Sequence, residues 1–228
     1  MGTKEQRDSA TCFIVTLDPS SIKSHVAIRA HRGDTMCLME DSLQPGKTLG
    51  GQKISRGMLN IGIIERWLAQ CIKLHGSDCA PVWTEELSQI RLVDVRSRKI
   101  VRYPADQQCE YVALSYVWGG VEQEAFKENN TVAEVPATIE DAIAFTRMLG
   151  KQYLWTDPLC IDQLDERDVV HQVNRMWSIY RGAYVTVIAL SGTSAEAGLY
   201  GISRGDTYQQ LTCCVRGRRI VGTMPTLS

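Results

Sequence analysis

Three short apolar runs alternate with two helical patterns between residues 111 and 190. The runs cover residues 111–117, 153–157 and 184–190 and are rich in β-branched and aromatic side chains. None of them alternates strictly between apolar and polar positions, which is typical of strands that are buried on both faces of a parallel sheet. We therefore predict three parallel core strands, with Trp155 buried in the second.

The two segments between these runs have helical periodicity. The first opens at Thr138, predicted as its N-cap, and stops at Gly150. The second begins near Asp165, carries apolar residues at spacings of three and four, including Trp177 as an expected core residue, and ends at Gly182. Alternation of strand and helix with right-handed crossovers predicts an α/β fold with a doubly wound, mainly parallel sheet.

Simpler patterns outside this core predict accessory elements. Short β-rich runs flank a polar turn within residues 90–103 and again within residues 210–221, and both pairs predict a β-hairpin. A helix is predicted from an N-cap at Asn60 to about His75, because apolar residues fall along one stripe of it. These elements surround the α/β core without extending its alternation.

The N-terminal part predicts an extension of the α/β domain. Three short strands are predicted there, at residues 12–17, 25–29 and 36–39. Residues 41–57 have the Gly-, Pro- and Ser-containing composition of a linker. We predict a helical and irregular extension at residues 1–88 and an α/β domain at residues 89–228, with its core at residues 111–205.

Charge and hydropathy exclude several classes of partner. The 228 residues carry 25 Lys and Arg against 26 Asp and Glu, a formal net charge of −1, which favours neither nucleic acid nor an anionic membrane as a partner. No apolar run approaches the roughly 20 residues of a membrane helix, and the polar N-terminus has no secretory signal pattern. We expect a soluble, cytoplasmic protein whose eight cysteines stay reduced.

Two motifs invite a ligand-binding interpretation that their spacing does not support. Cys71, His75 and Cys79 recur at steps of four, but a structural zinc site usually takes four ligands with a closely spaced Cys pair, so small thiols beside a histidine are favoured and no metal is expected. Gly46 and Lys47 resemble part of a phosphate-binding loop. Asp41 stands where that loop needs a glycine, which favours a solvated turn.

The loops after the core strands are the predicted ligand site, because ligands of open parallel sheets bind beyond the carboxyl ends of the strands. Trp118, Gly119 and Gly120 follow the first strand, and the two glycines allow a close approach of the backbone to a ligand. Trp118 either stacks on a ligand ring or wedges under the sheet edge. Gln163, after the second strand, either orients a ligand amide or ties down its own loop.

The loop after the second strand also carries candidate catalytic groups. Asp157 and Asp162 form a carboxylate pair if both face the crevice, with one pKa raised by the other. Otherwise Asp157 caps the loop backbone and Asp162 is solvated. Cys160 is either a nucleophile with His171 as its base or, as we favour, a buried thiol that packs under the loop.

The core motifs resemble the fungal heterokaryon-incompatibility (HET) domain. The matching stretches include Tyr-Val-Ala-Leu-Ser-Tyr-Val-Trp-Gly at residues 111–119 and Leu-Cys-Ile-Asp-Gln at residues 159–163. Others lie in the same order at residues 136–143, 149–157 and 176–180. The resemblance covers about half of the chain.

The resemblance implies a function. HET proteins act in non-self recognition between fungal strains, where an incompatible encounter triggers programmed cell death. Their fold is remotely similar to the TIR domain, whose members include death-signalling scaffolds and NAD hydrolases. The resemblance therefore implies a TIR/flavodoxin-like core that binds or hydrolyses NAD or a related nucleotide as substrate, with no resident cofactor required.

The sequence departs from the family pattern at its expected catalytic acid. HET proteins usually continue to a Trp-containing segment whose glutamate is analogous to the TIR catalytic acid. After Gly201 this sequence has neither Trp nor Glu up to Ser228. Either the sequence is a truncated piece or the domain lacks that acid. Glu196, after the third strand, is then either the substitute acid or a solvated loop carboxylate.

Three functions remain open from the sequence. The first is a cell-death module that binds or hydrolyses a nucleotide, with an acid stabilising an oxocarbenium-like centre as nicotinamide leaves. The second is a non-catalytic module whose partners are further copies of the chain or signalling proteins. The third, a cysteine hydrolase, depends on Cys160.

Overall fold

The computed structural model describes residues 58–104, 109–120, 131–190 and 192–203, together with strands at 13–15, 36–38, 212–215 and 218–222. The chain divides into two compact units, one made of residues 1–18 and 60–204 and the other of residues 19–59 and 205–228. Residue 88, the predicted boundary of the N-terminal extension, lies inside the first unit.

The described residues form nine strands and five α-helices. The strands are β1 (Phe13–Val15), β2 (Met36–Leu38), β3 (Arg91–Asp94), β4 (Lys99–Arg102), β5 (Tyr111–Ser115), β6 (Tyr153–Trp155), β7 (Val185–Ile188), β8 (Thr212–Val215) and β9 (Arg218–Gly222). The helices are α1 (Ile61–His75), α2 (Ala137–Met148), α3 (Asp157–Cys160), α4 (Glu166–Val173) and α5 (Met176–Gly182). None of the described helices is long and apolar enough to cross a membrane.

A six-stranded mixed sheet lies at the centre of the first unit, in the order β1-β7-β5-β6-β3-β4. β5 pairs in parallel with both β6 and β7, and β1 pairs in parallel with β7. The three predicted core strands are thus confirmed as parallel neighbours, and the α/β class is confirmed with them. β3 runs antiparallel to β6 and β4, so the sheet ends in the first predicted hairpin.

The core strands lack alternation because both faces of the sheet are covered. On one face, the Tyr111 hydroxyl donates to the Ile179 carbonyl of α5 over 2.5 Å, and the Trp155 ring meets the Tyr180 ring edge-on at 5.5 Å. Along the strands, alternate side chains point to the other face of the sheet, where α2 contacts β5 and β6. Three of these side chains are also fully buried: Val112, Leu114 and Leu154. Each such burial contributes roughly 2 kcal/mol.

The hairpin of β3 and β4 is closed by side chains of its turn. The Asp94 carboxylate accepts hydrogen bonds from the backbone N–H groups of Arg96 (2.8 Å) and Ser97 (3.2 Å). Arg98 has a left-handed φ of 53°, and its guanidinium makes a bidentate contact with Glu140 of α2, both distances 2.8 Å. The turn is therefore attached to the first crossover helix.

The prediction that Thr138 caps the first core helix is wrong. α2 begins at Ala137 with Pro136 at the N-cap position, and Pro136 itself makes no capping hydrogen bond. The Thr138 hydroxyl instead accepts a hydrogen bond from the Gly198 N–H at 3.0 Å. A long-range backbone partner has replaced the local one, which sequence spacing cannot reveal.

The second core helix is broken, and this places Trp177 outside the core. Asp165 caps α4 as its position predicts, with its carboxylate accepting from the Arg167 N–H at 3.0 Å. The chain then leaves the helix at Asn174 and restarts as α5 at Met176. The break changes the phase of the helical faces, so Trp177 is 79% exposed and its prediction as a core residue is wrong.

The helix predicted from Asn60 is confirmed. α1 spans Ile61–His75 with Asn60 at its N-cap position, and Ile64 and Leu68 are its buried residues. Cys71 and His75, two of the three residues in the Cys-His-Cys motif described above, lie near its C-terminal end.

The second unit contains a three-stranded antiparallel sheet in the order β2-β9-β8. Its β8–β9 pair confirms the second predicted hairpin. β1 and β2 lie within the first and third of the predicted N-terminal strands. The predicted strand at 25–29 and the predicted linker at 41–57, with its Gly46 turn, lie outside the described residues.

Candidate functional site

The loops that follow β5 and β7 pack against each other. The Ala195 N–H donates to the Trp118 carbonyl over 3.2 Å. Gly119 has a φ of +67°, and a Cβ there would lie 2.5 Å from the Cα of Ser194, so only glycine permits this contact. Gly120 also has a positive φ, +77°, but a Cβ there would meet no described atom within 4 Å. Gly119 therefore serves loop packing, whereas Gly120 borders open space.

Asp157 lies at the carboxyl end of β6, close to the Trp118 side chain after β5. Burial raises the pKa of the Asp157 carboxyl from 3.8 to about 6. Its own backbone N–H, the Trp118 indole and the Thr156 hydroxyl favour the ionised form and limit the rise. The loops thus hold a carboxyl group that changes its protonation state near pH 6.

Two hydroxyl groups beside this carboxyl are buried and unsatisfied. Among the described residues, neither Tyr116 Oη nor Thr156 Oγ1 has a hydrogen-bond partner, and Thr156 reaches Asp157 only in a geometry too poor to count as a bond. Burial, and secondarily the charge of Asp157, raises the pKa of Tyr116 and also that of Tyr180 on α5. A buried unpaired hydroxyl costs about 1–3 kcal/mol, which a bound polar group would recover.

A partly buried ion pair fixes the loop that follows Asp157. Arg91 of β3 donates through Nε to the Cys160 carbonyl at 3.0 Å and pairs with the Asp168 carboxylate of α4. Asp168 also accepts a hydrogen bond from the Asp162 N–H at 2.8 Å. The two charged side chains are only 14% and 16% exposed, so this contact holds the loop in one conformation.

Cys160 has the surroundings of a packed thiol. It is fully buried, its Sγ faces the Leu154 carbonyl at 4.0 Å, and burial raises its pKa to about 12. His171 lies on the exposed surface of α4. A thiol with a raised pKa is a poor nucleophile at neutral pH, which favours packing as the role of Cys160.

Asp162 and Gln163 both bind backbone groups of their own loop. The Asp162 carboxylate accepts from the Leu164 N–H at 3.1 Å, and the Gln163 amide donates to the Asp157 carbonyl at 3.3 Å. Asp162 is not among the groups that raise the Asp157 pKa. The pKa of Asp157 is therefore set by burial and not by a second carboxylate.

Glu196 is exposed in the short turn Ala195–Ala197, and its carboxylate accepts a hydrogen bond from the Ala137 N–H at 3.4 Å. This places a negative charge at the N-terminus of α2, where the helix dipole favours it. Asp141 of α2 continues the attachment by accepting from the Leu199 N–H at 2.6 Å. The loop after β7 is thus hydrogen-bonded to the N-terminal part of α2.

Three residues beside Asp157 escaped the sequence analysis: Tyr116, Thr156 and Tyr180. Tyr116 and Thr156 carried a usable signal, because each lies at or just beyond the carboxyl end of a predicted strand. Tyr180 carried none, since its proximity to Asp157 depends on how α5 packs under the sheet. The sequence thus indicated the residues at the ends of the strands but not the approach of Tyr180 from α5.

Comparison with protein families gives a match to part of the chain. Residues 111–220 match the family described as Heterokaryon incompatibility protein (HET), from the first residue of β5 into β9. The resemblance drawn from the motifs is thereby confirmed for this stretch, which includes Trp118, Asp157 and Glu196. Neither the curated proteins nor the solved structures give a significant match.

Proposed function

We propose that this chain, whose residues 111–220 match the HET family, acts in heterokaryon incompatibility by binding a nucleotide beyond the carboxyl ends of β5 and β6. Occupation of the crevice would be the event that signals programmed cell death. The observation that carries the proposal is the Asp157 carboxyl, which has a pKa of about 6 and lies near two buried hydroxyls without a hydrogen-bond partner among the described residues.

The order of the strands supports this location. The chain passes from β5 to β6 on one side and then returns to β7 on the other side of β5. With right-handed crossovers the two connections would run over opposite faces, as in the doubly wound, TIR/flavodoxin-like arrangement that we propose. In such a sheet ligands bind outside the carboxyl ends of the strands, at the switch point between β5 and β7. Trp118 follows β5, and Asp157 follows β6, its other parallel neighbour, at the same edge of the sheet.

The side chains around the crevice suit a nucleotide. The half-buried Trp118 indole offers a surface for stacking on a base or a nicotinamide ring. No described atom lies within 4 Å of a Cβ placed at Gly120, and the hydroxyls of Tyr116 and Thr156 would be available to the hydroxyls of a ribose. An ordinary packed loop would satisfy these buried polar groups itself.

The same carboxyl group supports cleavage of an N-glycosidic bond. With a pKa of about 6, Asp157 is mostly ionised at pH 7 and would stabilise positive charge on the ribose as the bond to nicotinamide breaks. Water then adds to the ribose carbon and loses a proton, so that NAD and water give ADP-ribose, nicotinamide and H⁺. Asp157 is better placed for this step than Glu196, which is exposed and accepts a hydrogen bond from the Ala137 N–H.

The test is release of nicotinamide from NAD by the purified chain, measured by chromatography at high protein concentration and with self-association enforced by a fused oligomeric tag. We expect wild-type turnover and a loss of at least 100-fold in Asp157→Asn. Asp162→Asn is the matched control, because it makes the same chemical change five residues away in a carboxylate that binds its own loop. It should retain activity within a few-fold.

Three results would contradict parts of this proposal. Absence of nicotinamide release under these conditions would exclude hydrolysis. Absence of NAD and ADP-ribose binding by calorimetry would exclude the nucleotide crevice itself. Equal activity of Asp157→Asn and wild type would remove Asp157 from the chemistry while leaving binding intact.

A second candidate function is self-association, favoured by an apolar surface on α4 and α5. Three exposed large apolar residues lie on these helices, and Leu164, just before α4, is 80% exposed: Val170, Val173 and Trp177. Val170 and Val173 are three residues apart and lie on one side of α4. Such a surface is typical of a protein–protein contact.

Sedimentation of the purified chain tests self-association. A Val173→Ser and Trp177→Ser double variant should stay monomeric at concentrations where the wild type assembles, and Met148→Ser on α2 is the control. If cell killing survives Asp157→Ala and Gln163→Ala but is lost in the Val173→Ser and Trp177→Ser double variant, the interaction function is the correct one. Monomeric wild-type protein at high concentration would exclude it.

A further inference from the structure

Three metal-binding side chains converge where α1 ends, outside the crevice described above. The Cys71 Sγ lies 3.4 Å and the Cys79 Sγ 3.5 Å from the same atom, Nδ1 of His75. The three ligand atoms all lie within 4.8 Å of one another. Within the described part of the chain, no other group of three or more such side chains comes together.

The local structure explains how Cys79 reaches the other two residues. Cys71 and His75 are four residues apart, so they lie on one side of α1. Gly76 follows with a φ of +52°, a conformation that glycine adopts without strain. The chain then turns back, and the N–H groups of Cys79 and Ala80 both point to the Gly76 carbonyl, at 3.3 and 3.1 Å.

The returning segment is held from the other side by α5. Arg181 donates to the backbone carbonyls of Ser77 (3.2 Å), Asp78 (3.3 Å) and Ala80 (2.6 Å). Its own carbonyl accepts a hydrogen bond from the Val82 N–H at 3.2 Å. The position of Cys79 beside α1 is thus fixed by contacts that do not involve the cluster, and the three ligands are pre-organised.

The distances fit tetrahedral coordination of a zinc-sized ion. With Zn–S near 2.3 Å and Zn–N near 2.0 Å, a tetrahedral angle separates a sulfur ligand from a nitrogen ligand by about 3.5 Å. The two observed sulfur–nitrogen separations are within about 0.2 Å of that value. Thiolate and imidazole ligands select zinc and related transition metals over magnesium and calcium, which prefer oxygen.

We propose that Cys71, His75 and Cys79 bind one zinc ion through two thiolates and the Nδ1 atom of the imidazole. The spacing alone argued against a metal, because it supplies three ligands and no close Cys pair. Two cysteines and one histidine with a fourth position for water, or for one further ligand, are nevertheless a known zinc arrangement. The ion would link the end of α1 to the segment that Arg181 attaches to α5.

The test is zinc content of the full chain, purified without a histidine tag, kept reduced, incubated with zinc sulfate and dialysed against metal-free buffer. We expect one equivalent per chain, and a decrease in affinity of at least tenfold in Cys71→Ser and in His75→Gln. Cys109→Ser is the matched control, because Cys109 is a half-buried thiol outside the cluster. It should still bind one equivalent.

Cobalt substitution gives a second measurement that does not depend on how the variants fold. The wild-type chain with Co²⁺ should show the ligand-field bands of a tetrahedral site and a thiolate-to-cobalt charge-transfer band. Less than a tenth of an equivalent of zinc in the wild type would overturn the proposal. So would unchanged zinc affinity in both cluster variants, or octahedral cobalt spectra without charge transfer.

Discussion

The Trp118 side chain, beyond the end of β5, interacts with the Asp157 carboxyl at the end of β6 and favours its ionised form. The contact joins the loops of two neighbouring parallel strands across the edge of the sheet. It opposes burial, which alone would raise the Asp157 pKa further. The balance leaves an acid that titrates near pH 6 in the HET-matched region.

The first prediction concerns the stability of Asp157→Asn as a function of pH. The pKa of this carboxyl is about 6 in the folded chain against 3.8 as its ordinary value, so its contribution to stability is fully present below pH 3.8 and is lost as the pH rises through 6. We expect the variant, which cannot ionise, to gain roughly 2–3 kcal/mol over the wild type between pH 4 and pH 7. Urea unfolding of both proteins at the two pH values measures this gain. If the difference in the free energy of unfolding between variant and wild type is the same at both pH values, Asp157 is solvated.

The second prediction concerns the indole. Trp118→Phe removes the N–H group that favours the carboxylate, so the pKa of Asp157 should rise above 6. Titration of the carboxyl carbon of aspartate by NMR measures the change. Trp177→Phe is the matched control, because Trp177 is an exposed tryptophan on α5 and should leave the titration unchanged. Equal pKa values in all three proteins would remove the indole as a cause.

The third prediction separates the two glycines after β5. Both have positive φ, so an alanine is strained at either position by about 1 kcal/mol. Only Gly119→Ala also places a Cβ within 2.5 Å of the Ser194 backbone, which must move to admit it. We expect Gly119→Ala to be less stable than Gly120→Ala by at least about 1–2 kcal/mol in denaturant unfolding. Equal losses of stability in the two variants would mean that the loop after β7 moves to admit the Cβ at little cost in free energy.

The fourth prediction compares a buried with an exposed ion pair. Asp168→Ala leaves Arg91 without its carboxylate in a site where both partners are mostly buried, and it should cost about 3 kcal/mol. Glu140→Ala removes the partner of Arg98 at a site where the glutamate is 48% exposed, so about 0.5 kcal/mol is expected. Thermal unfolding of both variants provides the comparison. A larger loss in Glu140→Ala would contradict the assigned role of Asp168.

The fifth prediction concerns thiol reactivity. Burial raises the pKa of Cys160 to about 12, whereas Cys214 is exposed. A thiol reagent at pH 7 should therefore modify Cys214 within minutes and leave Cys160 unmodified until the chain unfolds. Peptide mass mapping after timed labelling measures both. Rapid modification of Cys160 in the folded protein would contradict this prediction and would support a cysteine hydrolase function.

Much of the fold could be predicted from local patterns. Continuous apolar runs marked β5, β6 and β7, helical spacing marked α1 and α2, and polar turns marked both hairpins. The location of the candidate site followed from the same patterns, because the loops after parallel strands meet at one edge of a sheet. The inferences about strands, helices and hairpins succeeded because each depends on residues close together in the chain, whereas the location of the site stays a prediction.

Tertiary structure alone decided what each candidate residue does there. The break after α4 exposed Trp177, and the Thr138 hydroxyl that was expected to cap α2 accepts a hydrogen bond from Gly198 instead. Burial, and not Asp162, raised the pKa of Asp157. The return of the chain at Gly76 likewise brought Cys79 to His75. Periodicity encodes which face of an element is apolar, whereas burial, pKa and ligand geometry depend on groups that are distant in sequence and meet only in the folded chain.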